Sequence, residues 1–160
     1  NHWLNAAAKG QAQQTGSTAA VTVPDPPDFK KCIAGKQKTP VPKGTPKPKE
    51  SDLKKQCQQE YGALASTAFD EIVVREDKNL RGRPAGESAD NVIAGIRRAR
   101  GEGRGRTSLT EKILEEISAV RSMLRRATPG DLVLVFRAEV KAVGAAWQPA
   151  GCRLQGRPDL

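Results

Sequence analysis

Apolar positions along this chain follow two different periods, separated by long stretches that have neither. Leu53, Cys57, Tyr61 and Leu64 fall four, four and three residues apart, behind Ser51 as N-cap, which predicts a helix near 51–64 with one narrow apolar face. That face needs a partner, and the sequence does not reveal one. Ile72-Val73-Val74 is a β-branched run and predicts a buried strand. Residues 77–86 read as a polar loop. A helix follows from Glu87, with Ala89, Val92, Ile93, Ile96 and Ala99 on one face, and Gly101-Glu102-Gly103-Arg104-Gly105-Arg106 ends it. Thr107–Leu114 is two-sided: Ser108-x-x-Glu111 has the form of a capping box, yet the stretch also suits a short strand.

Further on, Ile117, Val120, Leu124 and Ala127 repeat at helical spacing from Glu116, with Arg125 and Arg126 in the last turn, where cations suit the helix dipole. Pro129-Gly130-Asp131 is a turn. Leu132-Val133-Leu134-Val135-Phe136 is an all-apolar strand of the kind that helices cover on both faces. A further helix is expected at Glu139–Trp147, and Gln148–Leu160 reads as a tail. The order strand, helix, strand or turn, helix, strand predicts an α/β fold, a partial Rossmann-like parallel sheet with helices. At the other end, Trp3, Leu4 and Ala6-Ala7-Ala8 favour a short helix within 1–14, weakened by Gly10 and the Gln-rich stretch after it. Residues 15–50 read as an extended linker, because proline fixes φ and removes an amide donor and because the lysines repel one another. The expectation for 1–50 is therefore a largely disordered Pro/Lys-rich segment, since it has little apolar surface to offset ordering.

Composition changes this picture by dividing the chain. Residues 1–64 hold ten lysines and no arginine, whereas 65–160 hold fourteen arginines and three lysines. Seven of the eleven prolines lie between Pro24 and Pro48. Either basic residue solvates a surface equally well, so the split points to two pieces of different origin joined near Ala65. The expected organisation is 1–64, mostly linker with a helix near 51–64; 66–147, a partial α/β domain; and 148–160, a tail. Net charge is +9, which permits weak attraction to nucleic acid or anionic surfaces but specifies neither. No stretch approaches the ~20 apolar residues of a membrane span. Asn1-His2-Trp3-Leu4-Asn5 has neither Met nor a signal pattern, so a mature product or a fragment is expected. The cysteines Cys32, Cys57 and Cys152 form no CxxC pair and His2 is the single histidine, which argues against a metal site. Free thiols, or one Cys32–Cys57 disulfide if that part is secreted, are the alternatives.

Each piece also resembles a known family. His2-Trp3, Val23-Pro24-Asp25-Pro26-Pro27-Asp28-Phe29-Lys30-Lys31-Cys32-Ile33-Ala34 and Leu53-Lys54-Lys55-Gln56-Cys57-Gln58-Gln59-Glu60-Tyr61 resemble the N-terminal chaperone-like region of secreted actinobacterial parvulin-type peptidyl-prolyl isomerases, the SurA-like foldases. The resemblance implies contact with unfolded client peptides, and no catalytic isomerase domain follows in these residues. Phe69-Asp70-Glu71-Ile72-Val73-Val74-Arg75-Glu76-Asp77, Arg81-Gly82-Arg83-Pro84-Ala85-Gly86-Glu87, Ala119-Val120-Arg121-Ser122-Met123-Leu124 and Ala127-Thr128-Pro129-Gly130-Asp131-Leu132-Val133-Leu134-Val135 resemble the C-terminal domain of Mur-type amide ligases, closest to the cyanophycin synthetases, over about 66–145. Such ligases use ATP and magnesium to form an acyl phosphate that an amine attacks. The phosphate loop Gly-x-x-x-x-Gly-Lys-Ser/Thr of their central domain is absent from these 160 residues, as are the early strands of the C-terminal domain. The chain alone is thus expected to hold no cofactor and to lack turnover. The missing ligase domains, or an acidic peptide substrate, are the expected partners. A ligase would be cytoplasmic and a foldase secreted or in the cell envelope, so the two resemblances conflict on localisation.

The candidate site lies after the first strand of the second piece, because ligands gather at the carboxyl ends of strands in open α/β sheets. Arg75, Arg81 and Arg83 are candidates to grip an anion or an acidic substrate through the guanidinium fork, with Glu76 and Asp77 in positioning or ion-pairing roles. A solvated charged loop with internal salt bridges is the competing reading. The segment Gly101–Arg106 resembles a short RGG-like RNA contact, but no aromatic is interleaved and Glu102 interrupts the charge, so no specific nucleic-acid binding is expected.

Overall fold

A computed structural model describes residues 28–80 and 82–135 in full, together with the backbone of a strand at Asn5–Gln11. The order is β1 (Asn5–Gln11), α1 (Phe29–Lys38), α2 (Glu50–Ala68), β2 (Glu71–Arg75), α3 (Glu87–Gly101), β3 (Leu109–Lys112), α4 (Glu116–Arg126) and β4 (Asp131–Val135). The strands form one sheet in the order β3-β2-β1-β4. Helices α2 and α3 pack on the face that carries Ile72 and Val74, while α4 packs on the opposite face against Val73. The chain is therefore α/β, with Val73 and Val74 at 0% exposure in its middle. Burying each side chain of that kind contributes about 1.5–3 kcal/mol.

β2 and β3 are parallel, with Glu71 opposite Leu109 and Val74 opposite Lys112. The strands of the second piece share one direction, as the partial parallel sheet requires, and β1 from the first piece adds a strand antiparallel to β2 on one side and to β4 on the other. It also replaces the helix expected within 1–14. So short a segment, interrupted by Gly10, makes a poor isolated helix, whereas a central strand satisfies its backbone groups on both sides. β2 and β4 share a direction but do not touch. β4 lies at the sheet edge among the described residues, and Leu132 is 40% exposed, so this strand is less covered than its apolar run suggests. Within Thr107–Leu114 the structure forms strand β3 at Leu109–Lys112 rather than a helix. The expected helix at 139–147, the tail, Phe136, Trp3, Cys152 and Arg81 lie outside the described residues.

α2 runs unbroken through Ala65, so the change of composition is not an element boundary. Its apolar face docks on α3. Leu53, Cys57, Tyr61 and Ala65 are buried, whereas Leu64 is 42% exposed, because the buried stripe drifts around the helix from 61 to 65. The two helices approach closely at paired glycines. A methyl on Gly62 would overlap the Val92 carbonyl, and one on Gly95 would overlap the Gln59 carbonyl. On α4 the buried residues are Glu116, Ala119, Val120, Ser122 and Met123, a face turned from the expected 117-120-124 stripe toward Val73 and the Arg75 side chain.

Buried Tyr61 has its hydroxyl pushed up to about 12 by desolvation. It is the single tyrosine of the chain, so tyrosinate absorbance reads it directly. The folded-state value lies above the unfolded value of ~10. Stability from the neutral hydroxyl is therefore complete below pH ~10 and is lost as pH rises toward 12. The titration midpoint is expected near 12 in folded protein and near ~10 in denaturant. A native midpoint matching the denatured one would contradict the burial of Tyr61.

α1 is an ordered helix within the stretch expected to be largely disordered, where residues 15–50 read as linker. Asp28 caps it, accepting from the amides of Lys30 and Lys31 at 3.0 and 3.2 Å. A disulfide from Cys32 to Cys57 and an ion pair from Lys36 to Glu60 at 2.5 Å fasten it to α2. No residue of α1 is fully buried. Ten residues are too few for a stable isolated helix, and an exposed ion pair adds ~1 kcal/mol or less. Reduction of the disulfide is thus expected to remove roughly 2–4 kcal/mol and to release α1. Hydrogen exchange should then show protection lost over 29–38 and retained over 53–66 and 71–75. Unchanged protection of α1 in reduced protein would mean that packing alone holds it.

Candidate functional site

The carboxyl end of β2 opens into a cleft of about 340 Å³, lined by Arg75, Glu76, Asp77, Lys78, Leu80, Ala85, Leu114, Glu115 and Glu116. Two helix N-termini face it, that of α3 behind the 76–86 loop and that of α4 directly after Glu115. The topology makes this crevice. β2 leads into α3 and β3 into α4, so both strand-to-helix turns come out at the same end of the sheet.

Glu76 is buried, and its carboxylate reaches across the loop to the start of α3. It accepts from the Gly86 amide at 2.5 Å, the Ser88 amide at 2.8 Å and the Ala89 amide at 3.4 Å. It therefore caps a helix ten residues further along the chain. Glu115 does the same locally for α4, accepting from the amides of Ile117 at 2.9 Å and Ser118 at 2.7 Å. The Ser118 hydroxyl, followed by these two amides, holds the Glu115 carboxyl below the usual range. Asp77 accepts from the Asn79 amide at 2.9 Å and turns the loop.

Arg75 is buried beneath the cleft. Its Nη2 lies 2.9 Å from Glu116 Oε1, with side chains 5% and 8% exposed, and its Nη1 donates to the Glu76 carbonyl at 3.1 Å. The ion pair is close but lacks hydrogen-bond alignment. Burial pushes the Arg75 pKa down, against the upward pull of Glu116, Asp77 and Glu115. Arg83 is half-buried. Its Nε donates to the Leu80 carbonyl at 3.1 Å and its Nη1 bonds the Ser88 hydroxyl, so it ties the loop to α3. Arg81 lies outside the described residues. Arg75, Glu76 and Asp77 thus meet at one cleft, while Arg83 reaches the first turn of α3 from the loop.

Sequence reasoning missed Glu115 and Glu116. The available signal was their place in the short connection from β3 to α4, Glu115 as the cap of α4 and Glu116 as its first residue, at the same end of the sheet as Glu76 and Asp77. With them, the lining carries four carboxylates (Glu76, Asp77, Glu115, Glu116) against two cations (Arg75, Lys78). A nucleotide phosphate, which the ligase resemblance implies for the intact enzyme, would seek the free amides of a helix N-terminus. Both N-termini here already hold a carboxylate, and the surrounding charge is net negative. The described residues do not fit a nucleotide phosphate.

The RGG-like segment begins at the last residue of α3 and runs through the turn that leaves it toward β3. Arg104 pairs with Glu102, Arg106 Nη2 lies 2.5 Å from Asp70, and the Arg106 amide donates to the Ser66 carbonyl at 2.8 Å. Both of its arginines thus carry local partners. Among the described residues no group of His, Cys, Asp and Glu is arranged to hold a metal, and no helix is long and apolar enough to cross a membrane.

Comparison with known proteins gives one consistent likeness. Over 77 residues the chain is 39% identical to a cyanophycin synthetase of Synechocystis sp., a match covering 48% of this chain and 8% of that relative. Cyanophycin synthetases of Crocosphaera subtropica and Nostoc sp. are 37% and 35% identical over 75 residues, each covering 47% of this chain and 8% of the relative. The chain thus matches about 8% of the length of these curated relatives. No family model matches it, and no solved structure does. These relatives do not bear on the foldase resemblance of residues 1–64.

Proposed function

We propose that the ligase-like half of this chain is a partial C-terminal domain of an ATP-dependent amide ligase of the Mur or cyanophycin synthetase type, fused to a foldase-like segment and without turnover alone. The observation that carries the reading is the likeness to cyanophycin synthetases over about half the chain, which spans 8% of their length. The carboxylates on both helix N-termini at the cleft are consistent with a fragment that does not itself cradle a nucleotide. In this reading Arg81 and Arg83 contact the acidic end of a substrate, and Arg75, Glu76 and Asp77 position their loop. The complete site then requires the missing ligase domains. Purified chain with ATP, magnesium and acidic peptide is expected to release no ADP. Peptide affinity should be roughly millimolar at best. Replacing both Arg81 and Arg83 with alanine should abolish that binding and leave the circular dichroism unchanged. ADP release that disappears in this double variant would overturn the reading.

A second reading, a secreted peptide-binding fragment, is favoured by the Cys32–Cys57 disulfide, since such bonds persist in oxidising compartments. The reduction experiment above separates the two. Binding of unfolded peptide that is lost when α1 is released supports the second reading. Indifference to reduction supports the first.

A further inference from the structure

We propose that the slot between β2 and β4 is a strand-acceptor site, and that it takes residues 5–11 of a second copy of this chain, so that two copies exchange β1. The inference stands apart from the ligase reading. Strands β2, β3 and β4 share one direction, and the connection through α4 carries the chain from β3 past β2 to the far side of the sheet. Open α/β sheets with this kind of reversal usually have a parallel strand in the slot so created. Here the slot holds a strand of opposite direction. Without it, the backbone edges of β2 and β4 would both be unpaired inside the sheet, beside Val73 and Val74 at 0% exposure. Buried backbone groups of that kind must find partners, so the slot requires an occupant.

Nothing local makes that occupant come from the same copy. Antiparallel neighbours are commonly joined by a tight hairpin. β1 is instead separated from β2 by residues 12–70 and from β4 by residues 12–130. Its sequence, Asn-Ala-Ala-Ala-Lys-Gly-Gln, contains no apolar residue larger than alanine. Its hold therefore rests on main-chain pairing, the sequence-tolerant means by which added strands bind sheet edges. Sixteen residues, 12–27, separate β1 from the cap of α1. That length spans up to about 50 Å when extended, enough to reach an adjoining copy. Exchange of an identical element is a low-cost route to a closed dimer.

Gly10 and Leu132 are register partners across β1 and β4, and Leu132 is exposed. The variant Gly10→Cys/Leu132→Cys, with Cys152→Ser, would be made in light and heavy isotope forms, mixed in equal amounts, refolded together and oxidised. Mass spectrometry of the peptides linked between positions 10 and 132 is expected to find about half of them mixed-isotope. Links only within one isotope form, or no 10–132 link, would overturn the exchange. If this variant does not fold, light scattering of the unaltered chain decides. A dimer that Ala7→Pro converts to monomer is expected, because proline removes an amide from the central strand. A monomer at every concentration, or a dimer indifferent to that proline, would overturn the proposal.

Discussion

Gly95→Val is expected to unfold the chain or to separate α2 from α3, with loss of native hydrogen-exchange protection in both helices. Gly95 faces the backbone of Gln59, and even one methyl there would overlap the carbonyl. The neighbouring atoms are main chain, so no rotamer change relieves the contact and the whole helix must shift. Overpacking costs about 1–3 kcal/mol when side chains give way, and more when backbone must. The shift would also open the cluster of Tyr61, Ala65, Val92 and Ile96. Against domain stabilities of about 5–15 kcal/mol this is a large share. Gly101→Ala is the control. An added methyl there meets nothing within 4 Å, so stability should be unchanged or rise by a few tenths of a kcal/mol. Urea unfolding of the two variants checks the contrast. Equal midpoints would mean that α2 and α3 do not approach at these glycines.

Arg75→Ala should destabilise by about 3–5 kcal/mol, because it leaves the Glu116 carboxylate buried with its counter-ion removed. Arg75→Met/Glu116→Met should recover most of that loss, since buried pairs often exchange for apolar residues at little net cost. The cycle compares the pair with each single deletion in chemical denaturation. A double variant no better than Arg75→Ala would mean that the guanidinium serves mainly through its bond to the Glu76 carbonyl. This arginine lies beneath the cleft, between the first turn of α4 and the end of β2.

Because Glu76 caps α3 from the end of β2, the 77–86 loop is tied at both ends, and Arg83 adds a further tie through Leu80 and Ser88. Charged residues that a sequence presents as one cluster thus take different work once folded. Their side chains are within reach of helix amides, and a carboxylate beside free amides is held by them before any ligand arrives.

Periodicity alone was enough for the elements that carry a strong apolar pattern of their own. The β-branched run at 72–74, the helix from Glu87 with its buried positions 89, 92, 93, 96 and 99, and the strand from 132 all stand where their patterns predict. Burial demands an apolar face at the period of the element, and that demand is written locally. The helix at Phe29–Lys38 falls in a stretch read as linker, because the surrounding prolines and lysines outweigh the cap at Asp28 and the few apolar residues behind it. What only the tertiary structure decided is how distant segments meet. The narrow stripe of α2 found α3 through Gly62 and Gly95, a fit between two surfaces that neither sequence stretch describes alone. The strand at 5–11 exists because β2 and β4 leave a slot, and its own residues carry no strand signal. Glu115 and Glu116 joined Glu76 and Asp77 only when parallel pairing of β2 and β3 brought both strand ends to one crevice, turning an arginine-marked loop into a cleft with more carboxylates than cations. Side-chain charge is a property of each residue, whereas the field at a site is the sum over neighbours, and folding chooses the neighbours.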